Sequence, residues 1–160
     1  MSIDQVPIQF PEGANIIFGQ THFIKSVEDL HEAMATSAPG VKFGLAFSEA
    51  SGPCLVRHSG NDPALTQQAA ENIMRLGCGH TFLIILVDAF PIHVLNAVKA
   101  CPEVCHVFCA TGNPVIALVV RDERGGGVIG VIDGAKPSGI ETPADQEKRR
   151  AFLRMIGHKL

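Results

Sequence analysis

Thr81–Pro114 reads TFLIILVDAFPIHVLNAVKACPEVCHVFCATGNP. Its first seven residues form an unbroken apolar run, the pattern of a strand covered on both faces. Pro91 stands where a helix places proline most easily, in its first turn. About three helical turns follow, to Ala100. A second strand is predicted over Val104–Ala110. It ends on the polar turn Thr111-Gly112-Asn113-Pro114, at the kind of strand end where open α/β proteins place small-molecule sites. Strand, helix and strand in succession point to an α/β protein.

The flanking sequence extends that pattern. Upstream, strands are predicted at Ile3–Phe10, Asn15–Phe23, Val41–Phe47 and Cys54–His58. Ser26-Val-Glu-Asp has the form of a capping box opening a helix to about Ala38, with Val27, Leu30, Met34 and Ala38 at helical spacing. Asp62 followed by Pro63 opens another helix, whose inner face is Leu65, Ala69, Ile73 and Leu76. Gly77 and Gly79 end it. Downstream, strands at Val115–Arg121 and Val128–Ile132 flank the turn Gly125-Gly126-Gly127. Thr142-Pro143 begins a last helix expected to bury Ala144, Ala151, Phe152, Met155 and Ile156. The expected architecture is one domain over residues 1–160, a layered α/β sandwich. The hairpin at 115–132 must be antiparallel, so the β-sheet is expected to be mixed.

Composition narrows the function classes. The chain has 160 residues, one domain by length. Its formal net charge is -3, and the only cationic cluster is Lys148-Arg149-Arg150 on the last helix, so nucleic-acid binding is not expected. The first residues, MSIDQVPIQFPEG, lack the basic and apolar regions of a secretory signal. No apolar run is long enough to span a bilayer, so no membrane partner is expected. Five cysteines, an odd count, read as free thiols in a reducing compartment, and a cytoplasmic location follows. Apolar residues make up 46% and charged residues 18%, a low charge that suggests surface buried between subunits. Trp and Tyr are absent, so any aromatic face for a purine must come from Phe or His.

Gly125–Gly130 matches G-x-G-x-x-G, but a β-branched strand follows it where a phosphate-binding fingerprint needs a helix N-terminus. It reads as a hairpin turn. No G-x-x-x-x-G-K-[ST] sequence exists, and the protein-kinase motif set is absent. Cys101, Cys105 and Cys109 recur every four residues beside His106. They straddle a helix-to-strand change, so buried packing is expected rather than a zinc site.

His22 and His80 stand apart from the other histidines. His22 follows Gly19-Gln20-Thr21 at a strand end beside Lys25. His80 follows Gly77-Cys78-Gly79, immediately before the apolar strand. Imidazole serves as base, acid or nucleophile near neutral pH, and a structural hydrogen-bonded role is the alternative for each. Glu49, Asp62, Asp88 and Asp133 each fall at the end of a predicted element. Helix capping is the plainer reading of Asp62, and turn chemistry that of Asp133 and Asn113.

GQTHFIKSVEDL, KFGLAFSEASGP, RHSGND, GCGHTF, DAFPIHVLNAVKACPEV, FCATGNP and GVIGVIDG together resemble the adenosine-specific kinase family of small archaeal and bacterial proteins. The resemblance spans about Gly13 to Gly157. Ser48, His93 and Gly112 stand where the family pattern has Cys, Asn and Ala. The resemblance implies a compact α/β fold, a homotrimer, recognition of adenosine or AMP, and phosphoryl transfer. It leaves the phosphoryl donor and any divalent metal open. For phosphoryl transfer the residues themselves offer His80, His22 and Asp88 as the catalytic candidates, with His80 as nucleophile and Asp88 or Asp133 on its other ring nitrogen. Gln20, Glu49, Asn61, Asp62, Asn113 and Asp133 are the ligand-binding candidates. Lys25 or Arg57 would meet the transferred oxygens, and no residue is assigned to a metal. Two further readings stay open: a nucleoside-binding or sensing protein without turnover, and a structural interaction module.

Overall fold

The computed structural model describes residues 2–160. Twelve elements follow one another: β1 (Ile3–Ile8), β2 (Asn15–Thr21), α1 (Ser26–Ser37), β3 (Lys42–Ser48), β4 (Val56–Gly60), α2 (Pro63–Leu76), β5 (Thr81–Val87), α3 (Pro91–Ala100), β6 (Val104–Thr111), β7 (Val115–Arg121), β8 (Gly126–Asp133) and α4 (Pro143–Met155). They form a layered α/β domain, as expected. The expected mixed sheet is corrected. There are two sheets, a five-stranded one in the order β4-β3-β5-β2-β6 and a three-stranded one in the order β1-β7-β8. Every ladder between these strands is antiparallel. An apolar run reports that both faces are covered; it carries no information about strand direction.

β5 lies at the centre of the large sheet, between β3 and β2, and Phe82 through Leu86 are fully buried. One face of this sheet packs on α1 and α3, through Leu30, Met34, Phe43, Phe47, Phe82, Val94 and Val98. The other face packs on α2 and the small sheet, through Phe18, Ala46, Leu65, Ile73, Leu83 and Val119. Burying a side chain of this size contributes about 1.5–3 kcal/mol, so the two faces of β5 bind the layers together.

Local signals explain most boundaries. Asp62 accepts a hydrogen bond from Leu65 N at 3.0 Å, and Gly77 closes α2 in the left-handed region (φ 57°) with its N–H on Ile73 O. Two helix readings fail. Ser26 does not cap α1; its hydroxyl bonds Thr21 Oγ1 and Phe23 O, and Lys25 occupies the cap position. α4 does have its Thr142–Asp145 capping box, but it buries no residue. Phe152 is 53% and Met155 77% exposed, against the expected buried stripe. Its amphipathic spacing has no partner layer within the chain.

Candidate functional site

The register assigns each candidate to an end of the large sheet. At one end, Gln20 pairs with Thr81 and with His106, and Phe47 pairs with both Phe82 and Arg57. His80, Gln20, His22 and Glu49 gather here. At the other end, Lys42 pairs with Val87, Asn15 with Leu86 and Ile16 with Thr111. Asp88, Asn61, Asp62, Asn113 and Asp133 belong to that end. β5 alone separates His80 from Asp88, and seven residues of strand span about 23 Å. Within one chain Asp88 therefore does not hold the His80 ring, and neither does Asp133. Strand-end signals mark an end without saying which one.

His80 sits in the turn between α2 and β5. Its N–H donates to Ser48 O at 2.8 Å, and its carbonyl accepts from Thr21 N at 2.9 Å. These bonds hold it at φ 62°, a left-handed conformation uncommon for a residue with a side chain. The half-buried imidazole stacks on Phe47 with centroids 5.8 Å apart and planes 17° apart. Among the described residues, neither ring nitrogen has a hydrogen-bond partner. Strained backbone held in place by its surroundings is a recurring feature of functional sites. His22 is exposed, with its N–H on Glu103 O at 3.0 Å and its ring against Phe23.

The cations nearby are already engaged. Arg57 Nε donates to Glu49 Oε1 at 2.9 Å, and Leu55 N donates to Glu49 Oε2 at 2.8 Å. That backbone N–H and the guanidinium together hold the Glu49 carboxyl below its usual range. Lys25 Nζ donates to Glu103 Oε1 at 2.8 Å and also to Asp29. The Asp29 contact first, and Glu103 second, hold Lys25 in its charged form. Lys25 and Arg57 lie in the wall of a cleft of about 620 Å³, together with Ile24, Leu55 and His58. A second cleft, of about 780 Å³, lies beyond the Glu49–Cys54 loop, between Met74, Gly77, Arg121, Arg124 and the Gly125–Gly127 turn. Both volumes fall in the range of small-ligand sites. The second cleft's arginines are paired too, Arg121 with Asp4 and Arg124 with Asp122.

Several candidates spend their polar atoms on the scaffold. Asn61 accepts from Phe43 N and donates to Val41 O, both at 2.8 Å. Asp62 caps α2. Asn113 Nδ2 donates to the exposed Asp133 at 3.2 Å, at the start of the β7–β8 hairpin. The expected burial is partial for Cys101 and Cys109, which pack against opposite faces of the large sheet, and fails for Cys105, which is exposed. Cys78 is the fully buried thiol. The Gly125–Gly127 turn is a hairpin connection, as read, and Gly126 N donates to Gly77 O at 3.0 Å. Among the described residues no group of three or more His, Cys, Asp or Glu is arranged to hold a metal.

The model of the family described as adenosine specific kinase matches residues 6–159. The chain belongs to that family. It is similar to the PH1918 protein from Pyrococcus horikoshii OT3, whose crystal structure superposes with a TM-score of 0.95 at 42% identity, over 99% of this chain and 98% of that one. A search of curated proteins finds no match. Family membership covers the His80 turn and the cleft alike, because residues 6–159 include both. Two members of the arrangement were not legible beforehand. Glu103 lies inside the DAFPIHVLNAVKACPEV stretch but carries no role there, and only the folded chain brings it to Lys25. Phe47 reads as plain core, and only the register shows it beneath His80.

Proposed function

We propose that this adenosine specific kinase family member binds adenosine or AMP at the His80 end of the large sheet and transfers a phosphoryl group through His80. The observation that carries the reading is the His80 imidazole: stacked on Phe47, held by backbone bonds on both sides, and unspent at both nitrogens. A neutral ring nitrogen attacks the donor phosphorus as the donor's bridging P–O bond breaks. The leaving oxygen departs with that electron pair. The phosphohistidine then passes the group to a hydroxyl of the nucleoside, whose proton is lost in the second step. Arg57, on the strand position paired with Phe47, would meet the moving oxygens only after leaving Glu49. His22 is the second candidate nucleophile, joined to the same turn through Thr21. Asp88 has no part in this scheme within one subunit.

A reading without turnover has its own support. The Lys and Arg side chains of both clefts are paired with carboxylates, and no triphosphate-binding loop is present. Both readings make adenosine and AMP the tighter ligands and ADP and ATP the weaker ones. We also propose a homotrimer in the cytoplasm; no helix among the described residues is long and apolar enough to cross a membrane.

The test is His80→Asn, because Asn tolerates the left-handed conformation. This variant is expected to keep adenosine binding and to lose both phosphoryl transfer and any acid-labile protein phosphate. Transfer surviving in His80→Asn but lost in His22→Asn moves the role to His22. Transfer surviving in both ends the histidine mechanism. Binding of adenosine by a wild-type chain that shows no transfer with any donor nucleotide establishes the second reading.

A further inference from the structure

Glu103 is the one buried charged side chain among the described residues, at 3% exposure. Its Oε1 accepts from Lys25 Nζ at 2.8 Å, while its Oε2 is sealed from solvent with no hydrogen-bond partner. Its main-chain carbonyl accepts from His22 N at 3.0 Å. Glu103 thus holds both ends of the His22–Lys25 turn, one through its backbone and one through its carboxylate. Pinning the turn explains the backbone contact. It does not explain the charge, because a glutamine oxygen would accept the Lys25 hydrogen bond equally well, and a carboxylate is costly to remove from water.

The charge acts on Lys25. That ammonium is shared by two carboxylates, Glu103 and Asp29, which together outweigh it. Two of its three N–H groups are spent, and one is left for a ligand. Lys25 lines the 620 Å³ cleft beside Glu28 and Arg57, and Arg57 is matched by Glu49. A cleft with two cations in its wall is therefore not cationic. It offers a hydrogen-bond donor without the positive potential that would draw phosphate.

We infer that Glu103 is a specificity-determining residue of this cleft, selecting the neutral nucleoside and disfavouring each added phosphate charge. The inference rests on the proposed function and takes this cleft, at the His80 end of the large sheet, as the nucleoside site. The remaining Lys25 N–H would serve a neutral acceptor such as a ribose hydroxyl or a purine ring nitrogen.

Titration calorimetry of adenosine, AMP and ATP against wild type and Glu103→Gln, at low and at high salt, tests it. The substitution keeps the side-chain shape and removes one negative charge. Adenosine affinity is expected to stay within about twofold, while AMP and ATP tighten by about fivefold or more, ATP most, with the gain shrinking at high salt. Asp29→Asn, on the outer side of the same ammonium, should change the ratios in the same direction without touching the core. Adenosine, AMP and ATP affinities that keep their wild-type ratios in both variants overturn the inference alone. Absence of adenosine binding in wild type overturns the functional reading together with it.

Discussion

His80 holds a left-handed backbone that a β-branched side chain strongly resists, while asparagine tolerates it. His80→Val is therefore expected to unfold at lower denaturant than His80→Asn, by about 1–2 kcal/mol. Equal stability of the two variants would mean that the turn relaxes and that its strain is not enforced. Glu49 makes a second prediction at this scale. Its folded carboxyl titrates below the ordinary glutamate range, through Leu55 N–H first and Arg57 second. A depressed folded value stabilises the loop above the unfolded value, and that contribution fades as pH falls through the folded one. Proteolytic cutting in Glu49–Leu55 should thus rise as pH falls below about 4. Glu49→Gln should cut readily at neutral pH and show little further acid dependence. A wild-type loop equally protected at neutral and acid pH would remove this role from Glu49.

At the scale of elements, α2 shows what sequence can disclose. Asp62, Pro63 and Gly77 each act through local geometry, so a cap, a first turn and a stop are readable before folding. Asp62→Ala should cost about 0.5–2 kcal/mol in thermal or denaturant unfolding, with adenosine affinity unchanged. A marked loss of adenosine affinity in a folded Asp62→Ala protein would return Asp62 to the ligand-binding set. The same local logic misled at Ser26, whose hydroxyl turns to Thr21 and Phe23 instead of a free helix N–H. Strand direction lay beyond it too. TFLIILV announces a covered strand, but its antiparallel neighbours Asn15–Gln20 and Lys42–Phe47 come from distant parts of the chain. The site divides in the same way. His80 was legible through its flanking glycines, whereas Glu103 and Phe47 joined it only through pairings dozens of residues apart. The sequence offers Asp88 as an acid for the His80 ring, and the length of β5 separates the two.

Across the whole molecule, the apolar residues left in water carry the remaining prediction. Phe90 and Ile92 stand 61% and 66% exposed at the start of α3, and Ile129 is 58% exposed on β8, an edge strand. α4 and its C-cap add Phe152, Met155 and Ile156, and α4 buries none of its own residues. A helix with an apolar side and no layer to cover it is poorly supported alone, because most helical stability comes from packing. Yet the similarity to the Pyrococcus horikoshii protein extends over 99% of this chain, so the fold they share includes α4. Contacts between subunits supply the missing support most simply. Light scattering at micromolar concentration should give about three times the 17.0 kDa chain mass, for a closed ring of three copies. Truncation before Thr142 removes no core residue, so the shortened chain should keep its far-ultraviolet circular dichroism per residue in the strands. If α4 lies between subunits, the truncated chain should also sediment as a smaller species. A monomeric full-length chain would refute the assembly. A trimer of unchanged stability after truncation would leave α4 outside the contact and assign it to the exposed faces of α3 and β8.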